Sequence, residues 1–217
     1  MDSFTPTARS RVKRGRDRAH YDRETIYAIL DAGLFCHIAY CVDGQPYLIP
    51  SSYGREDDRL YLHGALANRT LKHLAQGAPA AIGVALVDGL IFARSQAYHS
   101  MNYRSVVLFG RATEVGELAA RRRALTAIVE HMAPGRAGAC RPPSELELKG
   151  TQVLEFRIEE ASAKVRAGGG GDDEQDLALP HWAGELPLRL APQPPRPASD
   201  LVEGVGVPEH IASWERR

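Results

Sequence analysis

The sequence predicts an α+β protein, mostly β, in which a small antiparallel barrel carries a few peripheral helices. Residues 34–54 form two apolar stretches joined by Asp43-Gly44, a pair that accepts the positive φ angles of a tight hairpin. Residues 151–158 alternate between apolar and polar side chains, as a half-buried strand does. The strands follow one another through short turns and do not alternate with helices, which argues against βαβ units.

Three segments have a helical pattern. Residues 21–33 begin with Asp22 as a plausible N-cap and end at Gly33, with one apolar face. A second helix is expected over residues 68–76, and a third over residues 116–132. The predicted apolar faces of the first and third helices consist of Ile26, Ile29 and Leu30, and of Leu118, Leu125, Ile128, Val129 and Met132.

The remaining strands are expected at four places. Pro46 and Pro50 cannot donate backbone hydrogen bonds, so the strand that contains them should lie at a sheet edge or carry a bulge. A strand at residues 60–64 follows a polar turn, and a further β segment spans residues 80–93, with a possible break at Asp88-Gly89. Residues 103–115 are apolar on both faces near their middle, which predicts a central strand.

The chain is organised as one core with two appendages. Its 217 residues, 44% of them hydrophobic, are enough for one sizeable core. We expect a basic N-terminal arm over residues 1–19, the barrel domain over 20–167, and a Gly/Pro-rich C-terminal extension over 168–217 that packs on the barrel. The acidic run at residues 172–174 is interpreted as a solvated linker.

Charge and cysteine usage exclude several classes of protein. Lys and Arg total 27, as do Asp and Glu. The chain therefore has no net positive charge that would attract nucleic acid or an anionic membrane. The basic residues 9–18 are either a phosphate-seeking arm or a solvated tail, the second being the commoner case. Three cysteines cannot all pair within the chain, and no apolar segment is long enough to span a bilayer. These features predict a cytoplasmic protein.

The candidate functional residues lie at the junction between the strand at residues 60–64 and the helix that follows. Arg69 and Lys72 lie on one face of the first helical turn, where cations oppose the helix dipole unless an anion is present. A phosphate bound there would contact both cationic side chains and the Thr70 hydroxyl. The alternative is an ordinary surface helix, because exposed Lys and Arg are common. His63 and Gly64 end the preceding strand and would lie near the mouth of such a pocket.

Other known motifs are missing from the sequence. It contains no Gly-x-Ser-x-Gly, no P-loop and no Gly-x-Gly-x-x-Gly. The histidines are scattered without the spacing of metal ligands, so no metal site is predicted.

Four segments in order, PYLIPSSYG, DDRLYLHG, NRTLKHL and NYRSVVLFGRA, resemble the FMN-binding split-barrel superfamily typified by pyridoxamine 5'-phosphate oxidase. Within it, the chain is similar to the flavin-nucleotide-binding branch that includes Nim-type nitroimidazole-resistance proteins. The resemblance covers roughly residues 20–166. It implies a Greek-key split β-barrel that binds FMN, and a homodimer with FMN at the subunit interface.

The resemblance also implies which residues bind the cofactor. The backbone of one strand end would face the polar edge of the flavin ring, and the next strand end and helix would hold the ribityl chain and phosphate. Ser105 would be offered by the partner subunit, and His63 matches a position associated with the active site in Nim-type relatives. The implied cofactor-binding residues are Pro50, Ser51, Ser52, Tyr53, His63, Gly64, Arg69, Thr70, Lys72 and Ser105, with His63 also the candidate catalytic residue.

Three functions remain open at this point. The first is an FMN-dependent oxidoreductase that acts on a small organic acceptor. The second is a flavin-binding module without turnover, and the third is a haem-binding split barrel with His63 or His99 as axial ligand. Pyridoxamine phosphate oxidases end in an Arg/His/Trp-rich segment, which this sequence lacks, so oxidation of vitamin B6 is not expected.

Overall fold

The protein is described by a computed structural model that covers residues 2–215 of the chain. Strands take up more of it than helices, in agreement with the predicted α+β class. The strands are β1 (Ala19–His20), β2 (Cys36–Val42), β3 (Gln45–Ser51), β4 (Gly54–Glu56), β5 (Arg59–Ala65), β6 (Pro79–Phe92), β7 (Ser100–Glu114), β8 (Thr151–Arg166) and β9 (Gly184–Pro187). The α-helices are α1 (Arg23–Ala32), α2 (Arg69–Ala75), α3 (Leu118–Met132), α4 (Glu145–Gly150) and α5 (Glu209–Ala212).

The strand order in the sheet is β3-β2-β6-β7-β8-β5-β4, with β1 beside β8 and β9 beside β6. Every pairing for which a register is defined is antiparallel. Strand β3, which contains Pro46 and Pro50, ends this order, so the predicted edge position is confirmed. Strand β7 lies between β6 and β8, which confirms the predicted central strand.

The chain divides into two compact units. Unit 1 consists of residues 1–49, 80–110 and 158–189, and unit 2 of residues 50–79, 111–157 and 190–217. Neither unit is continuous in sequence, because long strands contribute residues to both.

In unit 1, the local predictions at the first helix and hairpin are confirmed. The Asp22 carboxylate accepts a hydrogen bond from the Thr25 amide at 2.8 Å, and the three predicted apolar residues of α1 are buried. Gly33 follows the helix, but with φ −75°, so it does not use the left-handed conformation of a glycine cap. Asp43 and Gly44 both have positive φ, as the predicted hairpin between β2 and β3 requires.

The predicted break at Asp88-Gly89 is wrong, because β6 runs without interruption through both residues. Gly89 pairs with Pro187 of β9, and the Asp88 carbonyl accepts a hydrogen bond from the Leu188 amide at 2.9 Å. The Asp88 carboxylate binds the Arg104 guanidinium through two hydrogen bonds. A strand contributed from almost one hundred residues later therefore keeps this dipeptide extended.

The C-terminal extension is more ordered than its composition indicated. Residues 184–187, within the Gly/Pro-rich extension, form β9 on β6. Asp172, expected to be solvated, accepts hydrogen bonds at 2.8 Å from both the amide and the guanidinium of Arg94. Trp182 packs against Phe92 with ring centroids 5.7 Å apart. These contacts fix the part of the extension that belongs to unit 1.

Unit 2 is built around β5, β8 and α3. Tyr61, Val153, Ala124 and Ile128 form a buried cluster that joins the strands to the helix. Gly54 lies directly under α3, since a Cβ there would stand 2.5 Å from the Ile128 amide nitrogen, and only glycine fits.

In unit 2, one prediction is wrong and one helix was not predicted. Met132, expected on the apolar stripe of α3, is 50% exposed. Helix α4 was not expected, although Ser144 and Glu147 form the reciprocal capping box that an S-x-x-E sequence favours.

The three cysteines, Cys36, Cys41 and Cys140, form no disulfide. Burial raises the pKa of the Cys36 thiol to about 12, so this thiol is unreactive at neutral pH. Within residues 2–215, no helix combines the length and the apolarity needed to cross a bilayer.

Candidate functional site

The end of β5 in unit 2 positions the first two predicted site residues. In the antiparallel pairing of β5 with β8, His63 opposes Val153 and Gly64 opposes Gln152. Directly opposed residues share a face of the sheet, and successive residues alternate faces. The side chain of His63 therefore lies on the face that contains Tyr61 and Val153, whereas Gln152 lies on the opposite face with Gly64.

Helix α2 packs on the Gly64 face. A Cβ at Gly64 would stand 2.9 Å from Leu71 Cδ1 and 3.2 Å from Asn68 Nδ2, so the glycine allows close approach of the helix. The Asn68 side chain accepts a hydrogen bond from the Leu71 amide at 3.1 Å and so caps the helix. These contacts fix the start of α2 against the strand end.

The predicted phosphate-binding residues of α2 point in two directions. Arg69 and Lys72 are exposed, whereas Thr70 is only 8% exposed. No acidic residue lies in the first turn. The helix has only seven residues, so a phosphate there would depend mainly on the two cationic side chains.

Two polar atoms at this end of the β5–β8 pair are buried without a hydrogen-bond partner. They are Nδ1 of His63 and Oε1 of Gln152, one on each face of the sheet. A buried polar atom without a partner costs about 1–3 kcal/mol, so native proteins rarely keep one without a function. Gln152 was not predicted as a site residue. Its only signal in the sequence is an amide in phase with Leu154, Phe156 and Ile158, the apolar side of an alternating strand.

Burial also determines the protonation state of His63. Desolvation of the ring lowers the pKa of His63 below its ordinary value of 6.5. The imidazole is therefore neutral at physiological pH, with one ring nitrogen able to accept a proton.

The predicted residues at the end of β3 lie partly in the interior of unit 2. Tyr53 is 1% exposed, and its ring packs against His131 of α3 with centroids 4.3 Å apart. The Ser51 hydroxyl donates to the Ser52 carbonyl, and Pro50 is exposed. The side chain of Tyr53 thus serves packing. Any ligand contact in this stretch would be made by the backbone and by the residues next to Tyr53.

Ser105 belongs to unit 1, unlike the other nine predicted site residues. It lies on β7, and its hydroxyl donates to the Lys164 carbonyl of β8 at 3.2 Å. Among the described residues, no group of three or more His, Cys, Asp or Glu side chains is arranged to hold a metal ion.

Several solved structures resemble the chain over most of its length. The flavocytochrome Anf3 from Azotobacter vinelandii is 39% identical, with a TM-score of 0.88, over 96% of this chain and 97% of that one. A FAD- and haem-binding protein from Mycobacterium smegmatis is 33% identical, with a TM-score of 0.86, over 90% and 96%.

A third similar structure is a proposed 5-nitroimidazole antibiotic resistance protein from Bacteroides thetaiotaomicron. It is 22% identical, with a TM-score of 0.58, over 68% of this chain and 86% of that one, which supports the fold alone. No curated protein sequence matches the chain significantly.

The sequence profile of the pyridoxamine 5'-phosphate oxidase family matches residues 22–165, about two thirds of the chain. The antiparallel sheet, its helices and the full-length structural matches agree with this profile. The chain therefore belongs to the pyridoxamine 5'-phosphate oxidase-like family of split barrels.

Proposed function

We propose that this protein is a redox protein that binds a flavin nucleotide and a haem and acts on a small organic acceptor. The observation that carries the proposal is the likeness, over at least nine tenths of the chain, to two proteins named for both groups. Both are more than 30% identical to this chain, so they are informative about its cofactors as well as about its fold.

The appendages of the barrel support the haem part of the proposal. The family profile stops at residue 165, and the match to the nitroimidazole-resistance protein covers 68% of the chain. The two matches to flavin- and haem-containing proteins cover 96% and 90%, so they extend well beyond the barrel. The two relatives that match this chain beyond the barrel are thus the two whose names indicate haem.

The end of β5 and the start of α2 have the donor set that a flavin phosphate needs. Arg69 can donate in a fork, and Lys72 adds a second exposed positive charge. The unpartnered amide oxygen of Gln152 lies on the Gly64 face, where α2 packs, and would accept from a ligand hydroxyl. FMN, expected from the sequence, and FAD, named for the mycobacterial relative, share the phosphate next to the ribityl chain.

A bound flavin supplies the redox chemistry, while the protein positions the ring and excludes water. The backbone of Pro50 to Tyr53 would face the polar edge of the ring. His63 is the candidate catalytic residue, because its neutral imidazole has a buried nitrogen without a partner that can take up a proton.

The proposal includes a homodimer in which Ser105 of the partner subunit completes each flavin pocket. Three strands of unit 1 expose a large apolar side chain: Leu48 on β3, Val87 on β6 and Val107 on β7. In the proposed dimer, the partner subunit would cover these side chains. Light scattering of the purified protein should give twice the chain mass.

The absorption spectrum of the purified full-length protein tests the function directly. We expect flavin bands together with a Soret band, and mass spectrometry of the released flavin will distinguish FMN from FAD. A spectrum without either chromophore, after reconstitution with both, would contradict the proposal. Anaerobic reduction followed by nitro compounds or quinones then separates a redox enzyme from a flavin carrier, since a carrier reoxidises no faster than free flavin.

The double variant Arg69→Ala/Lys72→Ala tests the phosphate contact. Loss of the charge-assisted hydrogen bonds should cost about 2 kcal/mol, roughly a thirtyfold weaker affinity for FMN or FAD in a fluorescence titration. A matched control is Arg123→Ala/Lys149→Ala, which removes the same charges from exposed positions elsewhere in unit 2. Unchanged affinity in the first variant would place the phosphate elsewhere.

A further inference from the structure

Unit 1 contains an aromatic corner formed by Phe92, His99 and Trp182. The rings of Phe92 and His99 meet edge to face with centroids 5.8 Å apart, and Phe92 also contacts Trp182. Trp182 is nevertheless 69% exposed, and His99 is exposed as well. Large aromatic rings held in place but left uncovered indicate a surface that meets another apolar group.

The two ring nitrogens of His99 have different environments. Nδ1 lies 3.1 Å from the Ser95 carbonyl oxygen. A carbonyl can only accept, so Nδ1 carries the hydrogen and donates it. Nε2 consequently has the free lone pair, on a side chain that is exposed. An Nδ1–H bonded to a backbone carbonyl is the arrangement that orients metal-ligating histidines in proteins.

The loop that carries His99 is anchored at several points. The Ser95 hydroxyl accepts a hydrogen bond from the Ala97 amide at 3.3 Å, which caps a single 3₁₀ turn. The Tyr98 hydroxyl donates to Asp173 at 2.9 Å, and Arg94 forms its ion pair with Asp172. The imidazole is therefore held by the C-terminal extension and does not depend on a mobile loop for its position.

Four other histidines among the described residues, His20, His37, His63 and His210, lack this combination. His63 and His210 each have a ring nitrogen that is buried without a partner. His20 lies 3.7 Å from the Asp22 carboxylate. His37 is exposed and contacts Phe35 edge to face at 5.4 Å. It resembles His99 in these two respects but has no observed hydrogen bond from Nδ1 to a backbone carbonyl, which makes it a suitable control.

The surroundings of His99 fit a flat apolar macrocycle. Tyr98 is 39% exposed and Met101 is 45% exposed, on either side of His99 in the sequence. Together with Trp182 they provide uncovered apolar and aromatic surface within unit 1. Imidazole is the commonest protein ligand of haem iron, and an apolar surface covers the porphyrin.

We propose that Nε2 of His99 would coordinate the iron of a haem bound to this protein. The inference rests on the proposed haem content and assigns it to a residue and an atom. It also gives the C-terminal extension a role, because Asp172, Asp173 and Trp182 hold the loop and the corner that contain the ligand.

Titration of the full-length protein with ferric protoporphyrin IX tests the assignment. The variant is His99→Gln, whose amide group can still donate to the Ser95 carbonyl but cannot replace imidazole as a ligand. We expect a shifted Soret band, loss of the histidine-ligated electron paramagnetic resonance signal, and an affinity at least about tenfold weaker. His37→Ala should behave like the wild type. In His99→Ala, added imidazole should restore the wild-type spectrum.

The outcomes separate the two proposals. If the wild type binds flavin but no haem, the proposed function fails in its haem part and this inference falls with it. If the wild type binds haem and His99→Gln has the same spectrum and affinity, the function stands and the ligand assignment is overturned. Failure of imidazole to alter the spectrum of folded, haem-containing His99→Ala would also overturn the assignment.

Discussion

His63 in unit 2 and His99 in unit 1 meet opposite conditions at their rings. The ring of His63 is half-buried at a strand end, and its Nδ1 has no partner. The ring of His99 is exposed, and its Nδ1 is fixed by a backbone carbonyl. Hydrophobic packing positions the first region, whereas hydrogen bonds and ion pairs position the second. The comparison teaches that the two roles proposed for these histidines, proton exchange for His63 and iron binding for His99, depend on different surroundings.

The largest expected effect comes from removing the packing that holds the unit 2 region. Leu71 is 3% exposed and contacts the position of Gly64, so Leu71→Ala should lower the free energy of unfolding by about 2–5 kcal/mol. Flavin affinity should fall with it, measured well below the melting temperature. The exposed variant Leu146→Ala is the control. Equal stability of the two variants would show that α2 is not held by this contact.

A smaller effect is expected from Gln152→Met, which replaces the amide with the unpartnered Oε1 by an apolar side chain of similar size. Without flavin, the variant should be as stable as the wild type or more stable by about 1 kcal/mol, because a buried oxygen without a partner is removed. With flavin, its affinity should be lower. Thermal unfolding with and without FMN measures both quantities. A loss of stability with unchanged affinity would assign Gln152 to the scaffold.

The smallest effect concerns pH. The pKa of His63 is lowered by burial in the folded protein, so the unfolded chain binds the proton more readily. The contribution of His63 to stability is present above pH 6.5 and is lost as pH falls from 6.5 through the lower folded pKa. Urea unfolding of the wild type and of His63→Gln between pH 7.5 and 5 measures it. Parallel pH profiles would mean that burial of the ring has no such consequence.

Much of the fold could be predicted because the signals are local. Asp43-Gly44 forms the hairpin because its backbone accepts positive φ, and Asp22 caps α1 because its carboxylate reaches the Thr25 amide. The candidate site was predicted less completely. Arg69 and Lys72 are exposed as a phosphate site requires, but the sequence did not reveal that Thr70 is buried or that Oε1 of Gln152 lacks a hydrogen-bond partner. Those properties depend on which elements pack together.

By itself, the sequence determined the hairpin turn at Asp43-Gly44 and the cap of α1 at Asp22, because each depends on neighbours within a few residues. Only the tertiary structure decided that Asp88-Gly89 stays in a strand, since β9 from the distant extension pairs with it. The same holds for the His99 loop, which Asp172 and Asp173 hold from almost eighty residues away. Contacts between residues so far apart are set by packing and charge pairing in the folded chain, and no local pattern encodes them.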